Sequence, residues 1–328
     1  MPEFLVTGGC GFIGSHLCDA LLQDGHKVRV LDDLSTGSLG NLPWQAELIE
    51  GDIRDAALVR EAMAGCDGCF HLAAIASVER GNLEWVETHQ VNLSGAIQIF
   101  ETARRAGPGG RPVPVVYASS AAVYGDQGGA AITELALPVP TSAYGADKLG
   151  CEHHARVAGL VHGVPTIGLR FFNVYGPRQD PRSPYSGVIS IFCDRIGRGH
   201  PVTIFGDGQQ SRDFTYVGDV VNGLQAAMRR VSQQPRVFNI CTGRSTSVCR
   251  LAATVASLFD AKLQLAYGEA RRGEIRHSLG DPSAARTLLG FNPDTRLDRG
   301  LAITIDAARE TARHPAPFEN PVIEPARA

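Results

Sequence analysis

The chain has 328 residues, 44% of them apolar and 20% charged, with a net charge of -3. That is enough apolar material for more than one average domain, and it lacks the basic excess that holds polyanions, so nucleic acid is not an expected partner. The N-terminus MPEFLVTGGCGF has no basic segment before a long apolar run, and no stretch of about 18 apolar residues occurs anywhere, so the sequence reads as soluble and cytoplasmic with no membrane span.

In chain order, FLVT predicts a first strand and residues 13–23 a helix; KVRVL and AELIE predict strands, and residues 55–64 a second helix. CFHLA is the next strand, followed by one long helix over residues 83–106, the strand VPVVYAS, a helix over 144–162 and the strand PTIGLR. Apolar β-rich runs alternating with helices imply βαβ units, and hence an α/β fold with a Rossmann-type, doubly wound parallel sheet. After Arg170 comes the loop-like YGPRQDPRSPYSG, and then shorter elements. The expected division is a dinucleotide-binding domain over 1–173 and a smaller, mixed α/β unit over 174–328. The second is discontinuous, because a helix near 219–230 and the strand VFNI return the segment of about 214–242 to the sheet. Residues 315–328 read as a loosely held tail. The eight cysteines form no compact framework, and Cys66 and Cys69 lack a second pair or a histidine cluster, so reduced structural cysteines and no metal site are expected.

TGGCGFIGSHL places Gly8, Gly11 and Gly14 directly after the first strand and at the start of the first helix. Glycine permits the tight turn, lets backbone approach a pyrophosphate and allows close helix-to-strand packing, while the helix N-terminus favours the anion. The second strand ends in LDD, where Asp32 stands at the position of an acid that takes the adenosine ribose hydroxyls. A carboxylate there repels a 2'-phosphate, so NAD is favoured over NADP; capping a turn is the alternative role for Asp32, and the expected one for Asp33. Asp52 and Ile53, after the third strand, would bracket the adenine.

SAYGADK puts Tyr144 and Lys148 four residues apart on a predicted helix, hence on one face. A free tyrosine titrates near 10, and bringing it to about 7 needs roughly 4 kcal/mol of phenolate stabilisation. A cation about 4 Å away, at an effective dielectric near 20, supplies about that amount. Lys148, assisted by a positively charged nicotinamide, would then make Tyr144 a general base. In YASSAAVYG, Ser120 ends the fifth strand at the crevice where open α/β sheets bind ligands, and a turn cap is the alternative for Ser119 and Ser120.

TGGCGFIGSHL, LDD, HLAA, SSAAVYG, YGADK and RFFNVYGPRQ, in this order, resemble the extended short-chain dehydrogenase/reductase superfamily over nearly the whole chain. Within it, the chain most resembles the nucleoside-diphosphate-sugar 4-epimerases typified by UDP-glucose 4-epimerase. The resemblance implies Ser120, Tyr144 and Lys148 as catalytic residues. It implies an NAD site formed by Gly8, Gly11, Phe12, Ile13, Gly14, Asp32, Asp52, Ile53, Leu72, Ala73, Ala74, Asn92, Ser119, Tyr144, Lys148 and Phe171. For a UDP-sugar it implies Ser77, Ser120, Tyr144, Asn173, Gly187 and Val188, with Thr203, Ile204 and Phe205 flanking the uracil. Arg212 and Arg271 would neutralise the diphosphate, Glu274 would bind the uridine ribose, and Ser278 would stand at the gate of the sugar pocket. A homodimer through the helices over 83–106 and 144–162 is also implied.

Dehydratases and UDP-glucuronate decarboxylases of this superfamily carry an acid in the loop corresponding to SSAAVYG, where Ala121 and Ala122 can neither donate nor accept a proton. What remains is oxidation at carbon 4 and its reversal, with NAD retained. Small residues at Gly187 and Ser278 favour UDP-GlcNAc/UDP-GalNAc interconversion, with UDP-Glc/UDP-Gal accepted too. The alternatives are a UDP-uronic-acid 4-epimerase using Arg80 or Arg178 for the carboxylate, a net oxidoreductase, a heptose-nucleotide epimerase, and a non-catalytic NAD sensor, which would be expected to lose Ser120, Tyr144 or Lys148.

Overall fold

Strand β1 (Glu3–Thr7) shows how the chain builds its core. Its neighbours Leu5 and Val6 point to opposite faces of a sheet and enter different hydrophobic layers. Leu5 joins Met63, Ile99, Tyr117 and Ala155; Val6 joins Leu17, Val30, Leu224 and Phe238. A strand covered on both faces needs apolar residues at successive positions, which is why these strands read as apolar runs. The computed structural model describes residues 1–179, 187–270 and 275–313.

From β1 the chain passes through the glycine turn into α1 (Phe12–Gln23), then β2 (Lys27–Asp32), β3 (Glu47–Glu50), α2 (Ala56–Met63) and β4 (Gly68–His71). Next come α3 (Val78–Leu83), α4 (Trp85–His89), α5 (Gly95–Ala103), β5 (Val115–Ser120), α6 (Ala143–His162) and β6 (Thr166–Phe171). These are followed by β7 (Asn173–Tyr175), α7 (Val188–Gly197), β8 (Val202–Phe205), β9 (Ser211–Tyr216), α8 (Val217–Arg230) and β10 (Arg236–Ile240). The described chain closes with β11 (Ser245–Ser247), α9 (Val248–Leu258), β12 (Leu265–Gly268), β13 (His277–Ser278), α10 (Ser283–Leu289) and α11 (Leu297–Arg313).

Seven strands form the main sheet in the order β10-β6-β5-β4-β1-β2-β3, every neighbouring pair parallel. This is the Rossmann-type α/β sheet expected from the sequence. Helices α1, α8 and α10 cover one face, and α2, α5 and α6 the other. The strand order reverses between β1 and β4, so a crevice opens at the carboxyl ends of these strands. Strand β9 pairs with β7, β11 and β13 in a smaller sheet, and β8 pairs with β12. A third core packs beneath them from Phe192, Ile204, Phe214, Leu251 and Val255.

The single helix expected over 83–106 is divided. α3 ends at Glu84, whose backbone leaves the helical region, and between α4 and α5 the residues Gln90–Ser94 form a π-helical turn. Asn92 explains the turn. Its amide accepts a hydrogen bond from Ile75 N at 2.8 Å and donates one to Ile75 O at 3.1 Å, drawing the helix onto the loop after β4. The wider turn accommodates that reach. No helix among the described residues is long and apolar enough to cross a membrane.

Candidate active site

The turn after β1 is shaped to admit a phosphate group. Gly8 adopts φ +72°, and a Cβ there would lie 2.7 Å from Ala73 N. A Cβ on Gly14 would run into the carbonyl of Gly8, so this helix could not sit so close to the turn with a larger residue. α1 begins at Gly11 with no capping side chain and no acid in its first turn, which leaves its first amides and positive dipole end free for an anion. Phe12 and Ile13, in that first turn, are half-buried.

At the end of β2, the buried Asp32 carboxylate accepts hydrogen bonds from Cys10 N through one oxygen and Leu34 N through the other, both at 2.9 Å. Burial raises its pKa, while the two amide bonds oppose that rise. Asp32 therefore anchors the glycine turn, and each oxygen keeps a lone pair for a ribose hydroxyl. Asp33 caps Ser35 through both its N–H and its hydroxyl. Asp52 is held by Arg54, and Ile53 is buried beside Gly95.

The cradle thus joins a turn too tight for larger residues, an uncapped helix N-terminus and a carboxylate on the neighbouring strand, and these features fit a dinucleotide. The sequence reading passed over Thr7 and His71, which face each other across β1 and β4. Thr7 Oγ1 accepts the amides of Leu72 and Ala73, each at 3.2 Å, and lies 2.8 Å from His71 Nδ1. Burial, reinforced by the Lys148 cation, lowers the His71 pKa to about 3. The imidazole is accordingly neutral, and one hydrogen bond joins Nδ1 to the Thr7 hydroxyl. The one signal of this pair in the sequence is that both residues end their strands.

On the other side of the crevice, β5 ends at Ser120 and α6 begins at Ala143. Ser142 caps α6 by accepting Gly145 N, so Tyr144 and Lys148 lie on its first two turns. Lys148 is buried, donates to Ala118 O at 3.0 Å and sits 5.8 Å from the Tyr144 ring centre. Tyr144 and Ser120 are half-buried. Ser120 Oγ accepts Ala122 N at 3.1 Å, so it caps the 3-10 turn Ala121–Tyr124 and still has its own proton to donate. Ser119 differs from the expected cofactor contact: its hydroxyl donates to Glu152 at 2.6 Å, because neighbours on a strand face opposite ways, and its backbone alone is left for the crevice.

Leu72, Ala73 and Ala74 are half-buried above β4, and Phe171 is buried at the end of β6. Ser77 is nine-tenths buried and caps α3 through Arg80 N. Asn173 donates to Asp213 O at 3.3 Å. Gly187 is the exposed N-cap of α7, and Val188 its first residue. Along β8 the alternation exposes Thr203 and Phe205 and buries Ile204 completely in the third core, so Ile204 departs from the expected uracil contact: its side chain faces away. Arg212 donates to the carbonyls of Ser211 and Arg276, and Ser278 is its partner in the β9–β13 register. Arg271 and Glu274 lie outside the described residues.

Residues 4–241 match the NAD dependent epimerase/dehydratase family. The chain belongs to this family. Its cofactor is NAD, and its place in the extended short-chain dehydrogenase/reductase superfamily agrees with the motifs read from the sequence. The UDP-glucose 4-epimerase of Mycolicibacterium smegmatis is 36% identical over 317 residues, covering 94% of this chain and 99% of the relative. Among solved structures, UDP-glucose 4-epimerase of Thermotoga maritima with UDP-glucose superposes with a TM-score of 0.90 at 35% identity, covering 94% of this chain and 99% of that one. UDP-N-acetylglucosamine 4-epimerase of Methanobrevibacter ruminantium, in complex with UDP-N-acetylmuramic acid, gives 0.88 at 33% identity, covering 95% and 100%.

Proposed function

We propose that this family member is a UDP-sugar 4-epimerase that interconverts UDP-GlcNAc and UDP-GalNAc and also accepts UDP-Glc and UDP-Gal. The observation that carries this reading is the turn Ala121–Tyr124, which puts two methyl side chains directly after Ser120. Elimination of water would need a proton-transferring group there. Carboxylates of the surrounding elements are held by other groups, Glu152 by Arg170, Glu134 by Asn239 N, and Asp147, through one oxygen, by His89. Oxidation and its reversal remain.

In the proposed cycle, Tyr144 takes the proton of the 4-hydroxyl as its phenolate, and Ser120 orients that hydroxyl and steadies the charge that develops on its oxygen. Lys148 supplies the cation that favours the phenolate and reaches the nicotinamide ribose. NAD, when bound, takes up the hydride of carbon 4 and returns it. The 4-keto sugar turns about its link to the diphosphate, so return to its other face inverts carbon 4 and Tyr144 gives the proton back.

Substrate breadth is inferred from the small side chains of the exposed Gly187 and of Ser278, which leave room for an N-acetyl group. Arg80 and Arg178, the candidate partners of a uronate, are each already matched with a carboxylate, Glu84 at 2.6 Å and Asp19 at 2.7 Å, which favours neutral sugars. In this reading residues 1–173, together with about 214–242, form the cofactor-binding unit, and the rest the nucleotide-sugar unit. Two copies are inferred to associate through α5 and α6. Val157, Leu160 and Val161 are exposed on one face of α6, and Ile97, Phe100 and Ala158 line a cavity of about 190 Å³ between the helices. Free, mostly buried cysteines suit a reducing cytoplasm.

Kinetics with UDP-GlcNAc, UDP-Glc and UDP-GlcA test the substrate. Ser278→Tyr is expected to cut UDP-GlcNAc turnover by roughly 10- to 200-fold while sparing UDP-Glc. Conversion of UDP-GlcA alone would sink the neutral-sugar reading.

A further inference from the structure

We infer that the buried ion pair Glu152–Arg170 is a positioning device for Ser120, an inference that rests on the catalytic role proposed for that serine. Arg170, on β6, and Glu152, on α6, are joined by two short bonds, Nε to Oε1 at 2.8 Å and Nη2 to Oε2 at 2.6 Å, and both side chains are more than nine-tenths buried. Each partner of the pair also holds one end of the segment that carries Ser120. Glu152 Oε1 accepts the hydroxyl of Ser119, the residue before it, at 2.6 Å. Arg170 Nη1 donates at 2.7 Å to the hydroxyl of Tyr124, the last residue of the turn after it, and stacks 4.7 Å from that ring. The Tyr124 hydroxyl in turn donates to Asn239 Oδ1 at 2.7 Å, fixing the turn to β10.

Glu152 also stands one helical turn beyond Lys148, and Lys148 holds Ala118 O. Three successive bonds therefore index the end of β5 to α6 and β6: Ala118 through Lys148, Ser119 through Glu152 and Tyr124 through Arg170. Ser120 lies inside this frame, opposite Phe171 in the β5–β6 register, and its side chain has one bond, accepted from Ala122 N. Tyr144 is on the same helix as Glu152, so the frame sets the position of Ser120 relative to Tyr144. A buried ion pair stabilises weakly on balance, since desolvation offsets most of the attraction, and a use in geometric specification explains this one better than stability does.

Ser119→Ala cuts one bond, to Glu152, and Tyr124→Phe cuts two, to Arg170 and Asn239; both leave the ion pair whole, so the fold is retained. A displacement of about 1 Å in such a site costs up to 100-fold. With UDP-glucose as substrate, each variant is expected to lose at least tenfold in kcat with KM and NAD content near those of the parent; the melting temperature is kept in Ser119→Ala and lowered in Tyr124→Phe, which leaves Arg170 Nη1 and Asn239 Oδ1 buried without this partner. Hydrogen exchange at the Ala122 amide, which reports the Ser120 bond without any turnover, should speed up in both. Unchanged kcat and unchanged Ala122 exchange in Ser119→Ala would overturn the inference. So would a loss of activity matched by loss of NAD, which would make Ser119 a cofactor contact. If the parent protein converts no UDP-sugar, the functional reading fails, and the exchange experiment still decides whether the ion pair holds this segment.

Discussion

Replacing Lys148 by Met removes the cation beside Tyr144 and keeps an unbranched side chain of similar length. Lys148 Nζ lies 5.8 Å from the centre of the Tyr144 ring, and a cation about 4 to 6 Å from a phenolate, at an effective dielectric near 20, attracts it by about 3 to 4 kcal/mol. The sequence-based expectation of about 4 kcal/mol assumed 4 Å. Losing about 3 kcal/mol corresponds to roughly 100-fold in kcat at pH 7. Because the defect lies in forming the phenolate during the reaction, it should appear in kcat and leave KM near that of the parent. The assay is the initial rate of UDP-galactose formation from UDP-glucose, corrected for the folded and NAD-loaded fraction, since Ala118 O loses its donor in the variant. A loss of less than about threefold at pH 7, or one confined to KM, would refute the electrostatic role of Lys148.

Gly14→Ala places a Cβ against the Gly8 carbonyl and should open the glycine turn; NAD is expected to be lost on gel filtration, with stability lower by about 1 to 3 kcal/mol in urea titration, and full NAD retention would contradict the cradle. His71 is held neutral in the fold, with a pKa of about 3, below its unfolded value near 6.5, so its contribution to stability is present above pH 6.5 and is lost as the pH falls toward 3. Unfolding free energies of the parent should therefore fall faster with acid between pH 6 and 4 than those of His71→Asn, by roughly 1 kcal/mol per pH unit, and equal slopes would exclude the buried neutral imidazole. Leu160→Glu puts a carboxylate on the apolar face of α6 and should yield a monomer in sedimentation velocity, whereas an undisturbed dimer would move the association elsewhere.

Much of this was visible in the sequence because it is local. Gly8 is glycine where the turn requires φ +72°, and it follows directly on an apolar strand. Tyr144 and Lys148 share a helix face at a spacing of four, and Ala121 with Ala122 can be read as the lack of an acid without any structure. The remaining features join residues far apart in the chain. Thr7 and His71 are brought together by strand pairing, and Ser119, Glu152, Arg170 and Tyr124 by the side-by-side pairing of β5 with β6 and the packing of α6 on them, so no local pattern marks them. The division of the helix expected over 83–106 also has a distant cause, the hold of Asn92 on the loop at Ile75. That Ile204 buries its side chain between two exposed neighbours is likewise set by the strand's packing and not by the motif.

Retained-cofactor inversion at carbon 4 is tested most directly by incubating the purified protein, with no NAD added, with UDP-glucose and UDP-GlcNAc, following the sugars by proton NMR and then denaturing the protein to assay released cofactor. The account predicts the carbon-4 epimers of both sugars at equilibrium, no accumulating NADH, and NAD released near one equivalent per chain. An oxidised or dehydrated sugar as the final product, or turnover only in step with added NAD, would contradict it.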